Sequence, residues 1–219
     1  MRIEWPLLFV ALLAVPSVAR AQDEFFYEEA DEPARHLHHV TFKGGLHSFA
    51  DQKFFQGPGK FPVEKDLLGP ALELEYDYRF HEHFSVAGGG GYFFGDDRSR
   101  DGSKLDVSVW HLDLHGRLHT GPTDFGDFYV GGGFTVLLYD IDGAVNAGGT
   151  VFSDSDTGLG YGAFIESGWE IPLFENFGLV IEDRFGFDRT STGLNLPGQR
   201  SDSAWLTGNI IQVGLQIHF

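Results

Sequence analysis

Hydrophobic and polar residues alternate along most of this chain, most regularly at its C-terminus. From Ile211 to Phe219 every second residue is apolar, and two glutamines, a glycine and a histidine lie between them. A side-chain period of two residues is that of a β-strand. The stretch 205–219 is longer than the roughly 5–6 residues of a typical soluble strand. It is long enough for the ~9–11 residues that cross a membrane, so it predicts a strand with one face towards lipid.

Seven further segments with the same period precede it, so the chain is predicted to contain eight strands. Their apolar faces begin at Val40, Leu72, Phe84, Trp110, Phe128, Leu159 and Phe177. In the fourth segment, Leu105, Val107 and Val109 are out of phase with Trp110 and the apolar residues that follow it. Either a β-bulge near Val109 or a portion outside the membrane is expected there.

Short and long connections alternate between these segments. The short ones are residues 81–83, 120–127 and 172–176, and the longer ones are residues 50–69, 96–104, 141–157 and 190–203. Outer-membrane barrels have short periplasmic turns and long external loops. An even number of strands then predicts that both termini lie in the periplasm.

Phe219 ends the last segment in the apolar register, and eight such segments with a terminal aromatic residue resemble the small OmpA-type outer-membrane β-barrels. The resemblance covers residues 38–219 and implies an all-β fold, an eight-stranded antiparallel transmembrane barrel with up-and-down topology. It also implies contact with outer-membrane lipid and lipopolysaccharide, and recognition of Phe219 by the barrel-assembly machinery. A soluble barrel of lipocalin type shares the alternation, but the strand lengths, aromatic girdles and last residue favour the membrane barrel.

The N-terminal region predicts export. Residues 6–18 form an apolar run after Arg2, and residues 19–21 provide a small-x-small cleavage site. Residues 1–21 are therefore predicted to be a signal peptide cleaved near Ala21. Residues 22–37 are acidic and then histidine-rich, which favours a periplasmic arm without regular structure.

Composition narrows the chemistry that is available. The chain has no cysteine, which excludes disulfides, thiolate metal sites and a cysteine nucleophile. Its formal net charge is −17, which argues against nucleic acid as a partner because phosphates attract the opposite sign. The sequence contains no nucleotide or cofactor motif, so no cofactor is expected.

Ten charged residues are predicted to face the lumen as an interior charge network. They are Glu73, Glu75, Asp77, Arg79, Asp113, Arg117, Glu166, Glu170, Glu182 and Arg184. Side chains fill the lumen of an eight-stranded barrel, and buried ions must be paired. A salt-bridged plug is therefore favoured over a gated path that conducts ions.

The sequence gives only weak support for metal-binding or catalytic residues. His111, His115 and His119 are spaced four apart on one strand, about 13 Å between neighbours at ~3.3 Å per residue, so no single metal binds all three. The aspartates at 140–142 and 154–156 lack the glutamate of a calcium-binding EF-hand loop. His47 and Ser48 are adjacent and so point to opposite faces. No metal site, catalytic residue or enzymatic activity is expected.

Asp183 is the one charged residue predicted on the lipid face. A connection centred near residues 196–197 would place it opposite Asn209. Two polar groups facing lipid are costly, so either a bulge turns Asp183 inward or the pair forms the seam of a weak homo-oligomer.

The predicted function is a structural, surface-interaction or narrow transport role. The alternatives are a lipid A-modifying enzyme and an OmpW-like conduit for small hydrophobic molecules, which a lateral opening between strands would favour.

Overall fold

The computed structural model describes residues 38–49, 68–98, 102–123, 125–147, 149–190, 195–196, 199–200, 204–206 and 208–219. The strands are β1 (His38–Phe49), β2 (Leu68–His81), β3 (Phe84–Arg98), β4 (Lys104–His119), β5 (Asp127–Ala147), β6 (Thr150–Phe174), β7 (Phe177–Thr190), β8 (Asn195–Leu196), β9 (Gln199–Arg200), β10 (Ala204–Trp205) and β11 (Gly208–His218). No helix in these ranges is long and apolar enough to span a membrane. The predicted signal peptide and the arm at 22–37 lie outside the described residues.

Eight of these strands form one closed antiparallel barrel. Strands β1 to β7 pair in chain order, and β11 pairs with both β7 and β1, which closes the ring. The short β10 extends the pairing beside β7, and β8 pairs with β9 in a separate hairpin. The predicted fold, an eight-stranded up-and-down barrel, is confirmed.

The two ends of the barrel differ. At one end tight turns join β2 to β3 and β6 to β7, and the backbone N–H of Phe219 donates to the carbonyl of His38 at 3.0 Å. We call this the turn end, and the opposite end the loop end. The predicted short connections all lie at the turn end.

The predicted apolar face points outward along every barrel strand. Leu114 is 63% exposed, Phe134 75% and Leu215 60%. Exposed aromatic residues form a belt near each end: Phe80, Phe84, Phe128, Trp169, Phe177 and Phe219 at the turn end, and Phe94, Trp110 and Tyr161 at the loop end. This outward surface is suited to lipid.

Strand β4 runs without the predicted bulge. It pairs in continuous register with β3 and β5 from Lys104 onward. Leu105, Val107 and Val109 therefore share the inward face with His111, and all three are buried. The change of phase in the sequence arises because this inward face is apolar towards the loop end and polar towards the turn end.

The predicted loop at residues 141–157 is wrong. Strands β5 and β6 stay paired as far as Ala147 and Thr150, and Gly149 adopts a φ of 90° in the connecting turn, a backbone region that favours glycine. Beyond the loop-end belt this hairpin has polar residues on both faces, so it lacks the apolar alternation that marks the other strands. At ~3.3 Å per residue it extends about 30 Å past Leu138. We call this extension the ribbon.

The register of β7 also corrects the position of Asp183. Asp183 lies opposite Ser167 and Ile211, whereas Asn209 lies opposite Phe185. The predicted Asp183–Asn209 pairing is therefore wrong by two residues, because β7 and β11 pair symmetrically about residue 197. The alternative of a bulge is also wrong, since pairing is continuous on both sides of Asp183, which is exposed on the outer face.

Candidate functional site

Two chemically different layers fill the lumen of the described barrel. The charged layer, towards the turn end, contains Lys43, Glu73, Glu75, Asp77, Arg79, Asp113, Arg117, Asp127, Glu166, Glu170, Glu182 and Arg184. The apolar layer, towards the loop end, contains Ala71, Phe93, Leu105, Val107, Val109, Leu137, Tyr139, Ile141, Leu206 and Ile210. All ten residues of the predicted interior network lie in the charged layer.

Arg117 is at the centre of the charged layer. Its two terminal nitrogens donate to both oxygens of Glu75 at 2.6 and 2.8 Å, and its Nε donates to Glu166 at 2.8 Å. Glu182 accepts another bond at 2.9 Å, and the guanidinium lies 4.4 Å from the ring centre of Tyr129. A planar guanidinium has five N–H donors in a fixed fork, which suits a site where three carboxylates converge.

Lys43 is a further member that the sequence analysis missed. It is 0% exposed, and its Nζ donates to Glu75 at 2.7 Å, to Glu182 at 2.8 Å and to Glu73 at 3.3 Å. The sequence could have shown this, because Lys43 directly follows the apolar Phe42. Since Phe42 is on the outer face of β1, the period of two predicts that Lys43 faces the lumen.

Arg184 lies at the side of the charged layer that is nearer to the loop end. It donates to Asp113 at 2.7 Å, to Glu73 at 3.1 Å and to Glu166 at 3.3 Å. Its guanidinium also lies 4.2 Å from the ring centre of Phe164, which is compatible with a cation–π contact.

Arg79 occupies the mouth of the lumen at the turn end. It donates to Asp127 at 2.9 Å and to Glu170 at 2.7 Å, and it lies 2.9 Å from Nδ1 of His119. Arg79 is the most accessible of the four permanent cations in the described lumen, with a side chain that is 14% exposed. This mouth is polar and closed by paired charges.

Glycines on the inner wall make room for the large lumen side chains. A Cβ at Gly168 would lie 2.3 Å from the Tyr129 ring, and one at Gly131 would lie 2.7 Å from Oε1 of Glu166. At such distances a side chain at either glycine would force the neighbouring lumen side chain to move. Glycine at these two inward positions therefore makes the crowded interior possible.

The apolar layer contains no permanent charge among its described residues. Val109, Ile141 and Leu206 are 0% exposed, and Leu105 is 1% exposed. Tyr139 directs its hydroxyl away from the layer and donates to Asp156 of the ribbon at 3.1 Å. A continuous aqueous path along the described lumen would have to pass between these packed side chains.

A cavity of ≈ 20 Å³ lies where the two layers meet. Its lining is mixed and includes His47, His111, Asp113, Asp188 and Phe164. His47 stacks on Phe93 at 4.1 Å between ring centres. This volume accommodates about one water molecule, so the cavity is too small for an organic ligand.

Two groups in the charged layer have the donor set of a metal site, namely Glu73, His111 and Asp113, and His119, Asp127 and Glu170. In the first group Arg184 donates to both carboxylates, and in the second Arg79 donates to both. A guanidinium thus provides in each group the positive charge that a metal ion would provide, so neither is a good metal site.

The geometry does not assemble a catalytic triad from the expected candidates. His47 is buried in the lumen, whereas Ser48 is on the outer face opposite Asn209. His111, His115 and His119 follow one another along β4, and His111 contacts Asp113 at 2.7 Å. Glu166 and Glu182, the carboxylates best placed to orient a base, are already bonded to Arg117.

The ribbon and adjoining strand ends present a strongly acidic outer face. Asp96, Asp106 and Asp142 are directly opposite one another across β3, β4 and β5, and like charges in such positions destabilise a sheet. Lys104 pairs with Asp106. Partial burial, and then the nearby Asp142 carboxylate, raise the pKa of Asp140 above its ordinary value. The hairpin tip is apolar, with Val151 63% exposed.

The sequence profile of the outer membrane protein beta-barrel domain family matches residues 7–219. The chain belongs to this family. Its fold and family support an outer-membrane location. None of the curated proteins compared with the sequence matches it.

Among solved structures, Neisserial surface protein A is similar with a TM-score of 0.53 at 10% identity, covering 86% of this chain and 100% of that protein. The outer membrane protein OprG of Pseudomonas aeruginosa has a TM-score of 0.50 at 15% identity, covering 84% of this chain and 97% of that one. At these identities the similarity shows the fold alone.

Proposed function

We propose that this protein is a non-conducting outer-membrane barrel that presents its acidic ribbon at the cell surface to a cationic partner. The observation that carries the proposal is the apolar layer, which fills the lumen directly below the ribbon. A barrel whose interior is closed in this way acts through the surface that it displays.

Two features of the lumen argue against transport. Leu105, Val109 and Ile141 are packed across the loop end with almost no exposed surface, and hydrophobic constrictions exclude water and ions. In the charged layer, each permanent cation is bonded to at least two carboxylates. The wall also has no lateral opening among the described strands, since every neighbouring pair is hydrogen-bonded.

The charge of the ribbon favours a cationic partner. Its cross-strand aspartates repel one another, so a bound positive group would relieve the repulsion as well as gain attraction. We therefore infer a cationic polypeptide segment as the partner, with the apolar hairpin tip as an additional contact. The ribbon would point out of the cell and the turn end into the periplasm, with Phe219 read there by the assembly machinery.

The test is binding of a fluorescent polylysine peptide to the barrel in vesicles of neutral lipid. The triple variant Asp106→Asn, Asp140→Asn and Asp142→Asn should weaken binding at least tenfold and leave the barrel folded. A control at the turn end, Glu175→Gln, should bind like wild type, because Glu175 is exposed at the opposite end of the barrel. Equal binding by the triple variant would refute the ribbon as the interaction surface.

Three further measurements check the other parts of the proposal. Single-channel recordings in planar bilayers should show no conductance, and steady ion-selective openings would instead support the narrow transport role. Mass spectrometry of lipid A from cells with and without the protein should give identical spectra. A change in acylation that disappears with His47→Ala would favour the enzyme. Cysteine at Ser155, but not at Asn176, should react with an impermeant maleimide on intact cells.

A further inference from the structure

A line of polar side chains crosses the lipid-facing wall formed by β6, β7, β11 and β1. It consists of Ser167, Asp183, Asn209 and Ser48, which we call the polar stripe. Ser167 lies opposite Asp183, and Asn209 lies opposite Ser48. Asp183 and Asn209 are diagonal neighbours on β7 and β11. On β7, Asp183 is midway between the exposed Phe177 at the turn end and the exposed Arg189 at the loop end, so it lies near the centre of the hydrocarbon.

The opposite wall contains no comparable feature. Its outward positions between the aromatic belts are apolar, tyrosine or glycine: Leu72, Leu74, Tyr76, Val86, Gly88, Gly90, Leu112, Leu114, Gly116, Val130, Gly132, Phe134 and Val136. The polar groups are therefore concentrated on one side of the barrel. Such an asymmetry indicates that the two walls have different surroundings.

Two polar groups of the stripe, the Asp183 carboxylate and the Asn209 side-chain oxygen, have no partner among the described residues. Asp183 has no hydrogen bond or ion pair among the described residues, although Ser167 is its direct cross-strand neighbour. The Oδ1 atom of Asn209 is shielded and also has no hydrogen-bond partner. Lipid chains offer no donor to such groups, and each unsatisfied group in hydrocarbon is costly.

We propose that the polar stripe is the contact surface between two copies of this chain in the outer membrane. The stripe is self-complementary, because Asp183 accepts hydrogen bonds while Ser167, Asn209 and Ser48 can donate them. A two-fold interface joins the same patch of both subunits, so each carboxylate would meet donors of the partner. The two copies share one orientation in the membrane, and the symmetry axis is therefore parallel to the membrane normal.

Cysteine crosslinking in isolated outer membranes tests this directly, because the natural chain has no cysteine. The test variant is Ile211→Cys, which lies directly opposite Asp183 and leaves the stripe intact. The matched control is Leu114→Cys on the opposite wall, since both side chains are outward and well exposed, at 58% and 63%. Oxidation should give a covalent dimer at Ile211→Cys at least ten times more readily than at Leu114→Cys.

A second comparison links the dimer to the stripe. Adding Asp183→Leu to Ile211→Cys should reduce the crosslinked dimer at least tenfold, while heat-dependent gel mobility shows that the barrel stays folded. Asp183→Asn, which keeps hydrogen-bonding groups, should retain more dimer than Asp183→Leu. Unmodified wild type in lipid nanodiscs should have the mass of two chains.

Four results would overturn the proposal. Equal crosslinking at both walls would indicate random collision, and a dimer that survives Asp183→Leu would show that the stripe does not hold it. A wild-type protein with the mass of one chain, or a crosslinked product with the mass of a different protein, would exclude a second copy as the partner.

Discussion

The charged and apolar layers of the lumen are enclosed by the same strands but are stabilised differently. Strand β4 contributes Arg117 and Asp113 to the charged layer and Leu105 and Val109 to the apolar layer. In the first, each cation has a specific set of carboxylate partners at hydrogen-bonding distance. In the second, packed side chains exclude water without directional bonds. A narrow barrel therefore accepts either chemistry inside, with paired charges towards one end and packed apolar side chains towards the other.

The two layers should respond differently to the loss of one side chain. Removing a cation from the charged layer leaves several buried carboxylates with fewer cationic partners, so the cost extends beyond the deleted residue. Removing a side chain from the apolar layer loses its own contacts and leaves a cavity. The difference between the layers can therefore be measured as a difference in free energy of unfolding at matched depth of burial.

The largest effect is expected for Arg117→Met. Glu75, Glu166 and Glu182 would then remain buried with fewer partners, and we expect a loss of about 3–5 kcal/mol in the free energy of unfolding. Urea titration in detergent micelles, followed by tryptophan fluorescence and gel mobility, measures it. Arg79→Met at the partly exposed mouth is the control and should cost less. Equal losses at the two sites would show that burial does not set the cost.

A smaller effect is expected for Leu137→Ala in the apolar layer. Leu137 is 1% exposed, and deletion of a buried leucine side chain costs about 3 kcal/mol through lost contacts and cavity formation. Leu114→Ala on the lipid face is the control, since its side chain faces lipid whether or not the lumen is packed. The same urea titration compares the two. A loss at Leu137 no greater than at Leu114 would mean that the apolar layer is loosely packed.

The sequence predicted the barrel well because its strands alternate between lipid and lumen. The positions of Glu73, Glu75 and Arg117 on the inward face follow directly from the period of two. The apolar layer was harder to predict, since Leu105 and Val109 resemble lipid-facing residues, and the alternation favours a bulge or a portion outside the membrane there. An apolar residue that faces the lumen can be distinguished from one that faces lipid only by the register of its strand.

Other features depend on three-dimensional pairing that periodicity does not specify. The partners of Lys43 come from β2 and β7, which are far apart in the chain and adjacent only across the lumen. The residue opposite Asp183 depends on the length of the irregular connection between β7 and β11. An error of two residues in the register replaces Ile211 by Asn209 as the expected neighbour. The ribbon was not predicted because aspartate, serine and glycine residues interrupt the apolar alternation beyond Leu138.

The smallest effect is expected for Ser85→Ala, which tests whether a neutral hydrogen bond matters within the charged layer. The Ser85 hydroxyl donates to Oδ2 of Asp77 at 2.6 Å, and it lies 3.0 Å from Nε2 of His119. Asp77 keeps a longer contact with Arg117 at 3.4 Å, so its charge is still partly compensated. We expect a loss of about 1.5 kcal/mol, as for a hydrogen bond to a charged group. Ser108→Ala, on the outer face of β4, should change the urea midpoint very little. If Ser85→Ala were as costly as Arg117→Met, hydrogen-bond satisfaction rather than charge pairing would dominate this layer.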